Sequence, residues 1–175
     1  MSVRLATERL VLRPWRRGDE EAIVRHADNR RVWLNLRDLF PHPYTRDDAR
    51  EFIAIQAGTS GPPHNLAIEH GGEAIGSVGL HPLSDVSRFT AEIGYWIGEA
   101  FWGRGLATEA LRLFTGYAFE SFPFERLEGW VFSTNPSSGR VLEKAGYELE
   151  ATLRRSAFKD GRFVDCHLYV RFRPR

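Results

Sequence analysis

The sequence is poor in residues that staple, ligate or anchor a chain. It holds one cysteine, Cys166, so no internal disulfide can form, which suits a reducing cytoplasm. Cys166 follows Asp165 on a terminal strand with no signal of an activated thiol, and it reads as packed or inert. The six histidines, at positions 26, 42, 64, 70, 81 and 167, show no metal-ligand spacing, so no metal is expected. No apolar run approaches the ~20 residues of a membrane span, and the opening Met1-Ser2-Val3-Arg4-Leu5-Ala6 lacks the hydrophobic core of a signal peptide. A cytoplasmic protein is expected. The 24 basic and 23 acidic side chains leave a net charge of +1, too little for nucleic acid or a membrane to be held by overall charge. Repeats and low-complexity tracts are absent, so any ligand must be recognised locally.

What the chain does have is 175 residues that are 42% hydrophobic, enough for one domain, residues 1–175, burying about two thirds of its unfolded surface. Residues 91–110 organise the rest. They open as a β-branched and aromatic strand, Ile93 to Ile97, and close as a helix with Ala107, Ala110, Leu111, Phe114 and Ala118 at helical spacing. The glycine-rich turn between them leaves backbone NH groups free to converge on an anion at the positive helix end, a phosphate cradle. Its glycine spacing excludes two familiar cradles. The dinucleotide fingerprint needs its third small residue at position 108, which is Thr108. The P-loop needs Lys and Ser or Thr after the last glycine, where Leu106 and Ala107 stand.

Along the chain, Leu10 to Arg13 reads as a strand stopped by Pro14. A helix is expected over about 18–26, and a capping box, Thr45-x-x-Asp48, starts a second over about 46–57 with Ala49, Phe52 and Ile53 buried. Strands 66–69 and 74–80 flank the hairpin dipeptide Gly71-Gly72. A fifth strand covers 127–132, and Asn135-Pro136 starts a short helix ending at Gly146. Strands over about 147–157 and 163–172 flank the turn Asp160-Gly161. This order predicts an α+β fold, a mixed sheet with helices on both faces.

Trp102-Gly103-Arg104-Gly105-Leu106-Ala107 resembles the pyrophosphate loop of the GCN5-related N-acetyltransferases (GNAT), Gln/Arg-x-x-Gly-x-Gly/Ala, with Trp102 at the first position as in the RimJ/RimL-like, ribosomal-protein N-terminal acetyltransferase branch. Residues 135–147, Asn-Pro-Ser-Ser-Gly-Arg-Val-Leu-Glu-Lys-Ala-Gly-Tyr, are similar to a second family motif, Asn-x-x-Ser-x-x-x-Leu-Glu-Lys-x-Gly-Phe/Tyr. The similarity runs from Thr7-Glu8-Arg9-Leu10 through Asp160-Gly161-Arg162. It implies the GNAT fold, a mostly antiparallel sheet of about seven strands splayed between strands 4 and 5. It also implies acetyl-CoA as cosubstrate with CoA as product, and a primary amine as acceptor, here a peptide N-terminal α-amine. A polyamine or aminoglycoside acceptor, or a noncatalytic acyl-CoA-binding module, remains the alternative. A monomer or homodimer fits equally.

By resemblance, Trp102, Gly103, Arg104, Gly105, Leu106, Ala107 and Thr108 surround the pyrophosphate, and Tyr95, Trp96 and Ile97 carry the backbone that pairs with the pantetheine arm. Gly94 reads as a bulge that starts the splay, or as a packing glycine. Glu92 shares its face with Gly94 and Trp96, and is a candidate general base or a carboxylate that is solvated or paired to an arginine. Asn135 and Ser138, one helical turn apart, imply a cofactor contact and an acid for the departing thiolate, with Asn135 also a plain helix cap. The tyrosine acid of many relatives aligns with Leu142. Trp33, Phe40 and Tyr44 stand as an acceptor wall or as core.

Overall fold

The computed structural model describes residues 3–58 and 60–175, so Met1 and Ser2 of the N-terminal stretch lie outside the described residues. One sheet of eight strands forms the frame, in the order β1-β2-β3-β4-β5-β6-β8-β7. Its strands are β1 (Leu5–Ala6), β2 (Val11–Arg13), β3 (Asn65–His70), β4 (Glu73–Pro82), β5 (Thr90–Ile97), β6 (Arg126–Phe132), β7 (Glu148–Lys159) and β8 (Arg162–Phe172). Every neighbouring pair is antiparallel except β5 with β6. The expected seven strands become eight because β1, only two residues long, pairs with Val11 and Leu12 while Leu5 packs against the core.

Among the described residues five α-helices cover the two faces: α1 (Glu20–Ala27), α2 (Arg30–Trp33), α3 (Arg46–Ala57), α4 (Leu106–Ser121) and α5 (Pro136–Lys144). The first starts at Glu20 rather than near 18, because Gly18 sits at φ +101° outside helical space. The second was not expected; Asn29 caps it by accepting from the amides of Arg31 and Val32. In α3 the capping box forms as read, with Thr45 and Asp48 each accepting from the other's backbone NH. Gly146, at φ +87°, ends α5 with its amide bonded to the Glu143 carbonyl and the Tyr147 amide to that of Leu142, a Schellman closure.

The core is divided by the sheet. On one face, α4 and α5 bury Leu111, Phe114, Ala118 and Leu142 against Leu12, Ile68, Val78, Ile93 and Leu127. On the other, α1 and α3 bury Ile23, Ala27, Ala49 and Ile53 with Trp15, Tyr44 and Ala67. Buried Arg13 ties the second layer to the sheet, donating to Asp19 at 2.7 and 2.8 Å and to Glu69 at 2.5 Å. Among the described residues no helix is long and apolar enough to cross a membrane, and no three His, Cys, Asp or Glu side chains gather as metal ligands would.

Candidate active site

After β5 a single 3-10 turn, Glu99–Phe101, carries the chain into the glycine loop. Gly103 and Gly105 lie at φ +73° and +77°, and Gly105 occupies the N-cap of α4 without any side-chain cap. The first amides of α4 therefore have no helical acceptor and face out of the loop. A Cβ at Gly103 would meet nothing within 4 Å, and one at Gly105 only the Arg9 guanidinium at 3.6 Å. The space in front of the loop is thus open, and the glycines answer to backbone conformation rather than crowding. The loop is pinned from behind. The Trp102 indole donates to the Ile97 carbonyl at 2.8 Å, and Arg9 donates to the Arg104 carbonyl at 2.9 Å and to Glu109 on α4 at 2.8 Å. The Arg104 side chain turns toward His70, 3.4 Å away, and over the Phe101 ring.

Beside the loop the sheet parts. The parallel ladder of β5 and β6 runs from Thr90 opposite Arg126 to Ile93 opposite Gly129, and stops. Beyond it β5 stays on β4 as far as Ile97, and β6 stays on β8 as far as Phe132. Facing backbone groups of Gly94–Ile97 and Trp130–Phe132 are left without each other, an edge inside the sheet that an extended ligand can pair with. The bulge expected at Gly94 is absent. Gly94 stands opposite Gly79 in unbroken register with β4, and the split arises because β6 leaves, a nonlocal event that a single strand's residues do not encode.

Chemistry-bearing side chains approach this split from both faces. From the α5 face, the Tyr95 hydroxyl lies 2.6 Å from Ser138 Oγ and donates to the Ser138 carbonyl at 3.1 Å. Burial raises the Tyr95 pKa, so its phenol stays neutral. Asn135 caps α5, its Oδ1 accepting from the Ser138 amide at 3.3 Å. Leu142 is buried with its methyls against Gly129. From the opposite face, Glu92 accepts from Arg37 at 2.5 Å, which realises the arginine-paired reading of that carboxylate.

Comparison with known proteins gives this arrangement its family. The Acetyltransferase (GNAT) domain pattern matches residues 9–148. The N-acetyltransferase YoaA of Bacillus subtilis is 30% identical over 173 residues, spanning 98% of this chain and 97% of that protein. The ribosomal-protein-serine acetyltransferase of Escherichia coli is 30% identical over 99 residues, 57% of this chain and 55% of that protein. Among solved structures, RimL, a ribosomal L7/L12 α-N-protein acetyltransferase in complex with coenzyme A, superposes with a TM-score of 0.83 at 18% identity, over 98% of both chains. The chain belongs to the GNAT acetyltransferase family. It is an N-acetyltransferase that draws its acetyl group from acetyl-CoA. The open glycine loop, the uncapped end of α4 and the parted strands supply donors and room that fit a pyrophosphate followed by an amide-bearing arm.

The residues expected as an acceptor wall in this GNAT domain divide. Tyr44 is only 6% exposed and belongs to the second core, and burial with the charge of Asp48 pushes its pKa up to about 12. Phe40 packs between Tyr44 and Trp96, with ring centroids 4.9 and 5.7 Å apart. Trp33 stacks on His42 and lies under the ammonium of Lys159, 3.5 Å from the ring centroid. Lys159, 4% exposed, also donates to Asp38 at 2.7 Å. A cleft of about 230 Å3 opens beside α2 and the β7–β8 hairpin, lined by Arg31, Leu34 and Asn35 on one wall, by Lys159, Asp160, Arg162 and Val164 on the other, and by Trp102 and Thr134; Trp33, Phe40 and Tyr44 do not line it. Sequence reasoning missed Arg37, Lys159 and the Arg9–Glu109 clasp. Thr7-Glu8-Arg9 carried a family likeness but no chemical role, and the partners lie too far along the chain to be paired by spacing.

Proposed function

We propose that this GNAT enzyme acetylates the α-amine of a peptide N-terminus by direct attack within a ternary complex of enzyme, acetyl-CoA and peptide, in the cytoplasm where that thioester is supplied. The observation that carries the reading is the split between β5 and β6, with Glu92 at one face and the Tyr95–Ser138 pair at the other. The likeness to a ribosomal-protein-serine acetyltransferase supports the peptide. So does amine acidity, since a peptide α-amine of pKa about 7.7–8.0 is roughly a tenth neutral at pH 7, whereas a lysine amine near 10.4 is neutral less than ~0.1% of the time.

In this reading the amides of residues 103–108 hold the pyrophosphate, and the backbone groups along Tyr95, Trp96 and Ile97 that face away from β4 align the pantetheine arm, with Asn135 beside it. Acetyl-CoA brings an activated thioester, so the chain has only to place the amine and move protons. Glu92, oriented by Arg37, takes the proton that the attacking amine loses, directly or through water. Ser138, held by Tyr95, gives a proton to the departing sulfur as the carbon–sulfur bond breaks. Cys166 is buried and carries no acyl group. Thiol release measured with a serine-headed peptide, an N-blocked lysine peptide and spermidine tests the reading. The serine-headed peptide should be the best acceptor, and turnover confined to spermidine or the lysine side chain refutes it.

A further inference from the structure

The cleft beside α2 and the β7–β8 hairpin reaches the Arg37–Glu92 pair through Lys159 and its partner Asp38, the residue next to Arg37, and it carries a cation with nothing to answer it. Its walls present Arg31, Lys159 and Arg162 against one carboxylate, Asp160. Three of the four are already matched. Arg31 pairs with Glu99, Asp160 with Arg30 at 2.8 Å, and Lys159 with Asp38 at 2.7 Å under the face of Trp33. The Arg162 side chain is exposed and makes no hydrogen bond or ion pair among the described residues.

The backbone of Arg162 is nevertheless fixed. The two-residue turn Asp160-Gly161, with φ of +50° and +78°, sets Lys159 and Arg162 directly opposite each other across β7 and β8. Directly opposed residues project from the same face of a hairpin, and opposed like charges destabilise it. Lys159 escapes that penalty because Asp38 and Trp33 neutralise and shield it. Its burial also anchors the hairpin tip to the segment after α2, so that Arg162 is presented at the cleft by a rigid mount. A guanidinium with no partner of its own can grip a bound carboxylate with two parallel N–H donors.

We propose that Arg162 is the specificity residue of the acceptor site and that the acceptor is an acidic peptide, with a carboxylate close behind its α-amine. This rests on the peptide reading above and narrows it. It also turns away polyamines and aminoglycosides, whose additional cations would enter beside Arg162. The carboxylate could come from a peptide side chain or from the terminal carboxylate of a free amino acid, and C-terminally amidated peptides separate the two sources.

The experiment compares the amides Ser-Glu-Gly-Gly, Ser-Gly-Gly-Gly and Ser-Lys-Gly-Gly, with free serine, free glutamate and spermidine, by CoA release under saturating acetyl-CoA. We expect kcat/KM to favour Ser-Glu over Ser-Lys by about tenfold or more. Arg162→Ala should level that ratio mainly through the acceptor KM, Arg162→Glu should invert it, and calorimetric affinity for acetyl-CoA should stay unchanged in both folded variants. Equal use of all three peptides overturns the acidic acceptor while leaving the peptide reading standing, whereas turnover of spermidine alone overturns both. Turnover of the free amino acids alone, or an Arg162→Ala loss that appears in acetyl-CoA affinity and falls equally on every peptide, also overturns it.

Discussion

At the residue scale, Gly105 is the most exacting position. Its φ of +77° belongs to the left-handed region, where a β-branched side chain costs on the order of 1–3 kcal/mol of strain, while the surrounding atoms leave space for one. Gly105→Val should therefore remain folded but lose the loop's aim, weakening acetyl-CoA at least tenfold, about 1.4 kcal/mol. Calorimetry on the folded variant checks it, and unchanged affinity removes the loop from the binding site. The two proton-handling groups should differ in weight, because an ammonium must lose its proton before attack while a thiolate of pKa near ~8.5 leaves with little help. Glu92→Gln should lower the rate by roughly 10² near neutral pH and regain part of it in alkali, where free amine is abundant. Ser138→Ala should cost less. The pH profiles of both variants decide, and the reverse order of damage hands deprotonation to water.

At the scale of elements, two clasps hold the site. Gly129 lets α5 lie on β6; a Cβ there would come within 2.8 Å of a Leu142 methyl. Gly129→Val should cost about 1–3 kcal/mol, read as a lower denaturant midpoint, and should move Ser138 with the helix and so reduce turnover. Glu109 clasps α4 to the loop before β2. Burial pushes its carboxyl pKa up, but hydrogen bonds from Thr7 and Arg9 with the nearby charges of Arg9 and His70 outweigh this and leave it below the usual 4.5. A folded value below the unfolded one stabilises the protein above pH 4.5, and that stabilisation is lost as pH falls through the lowered value. The denaturant midpoint of Glu109→Gln should accordingly lie below the parent's at neutral pH and converge with it in acid; a gap that persists at low pH refutes the clasp. What was legible at this scale was local. The α3 cap, the Gly71-Gly72 and Asp160-Gly161 turns and the end of α5 are set by residues a few positions apart. The short α2 depends on an asparagine cap ahead of an arginine pair, β1 on pairing with β2 and on Leu5 meeting the core, and the split on the departure of β6. The pairs Arg37–Glu92 and Asp38–Lys159 span 55 and 121 positions, beyond any periodicity.

At the scale of the molecule, binding joins elements that otherwise meet only through the core. A ligand that spans the α4 end and the parted strands stabilises the native state by mass action, about 2.7 kcal/mol at a hundred times its Kd, which for a chain of this size raises Tm by about 5–10 °C. Thermal scans with acetyl-CoA should show that rise for the parent and little of it for Gly105→Val. The central claim is that the sheet's own split, read with the uncapped helix beside it, is where acetyl-CoA lies. Amide hydrogen exchange tests it most directly. On addition of acetyl-CoA, exchange should slow in peptides covering residues 94–97 and 103–108, where the β5 amides that face β6 and the first amides of α4 have no partner strand or helical acceptor. Protection confined to other segments, with those two stretches exchanging as before, would contradict the account.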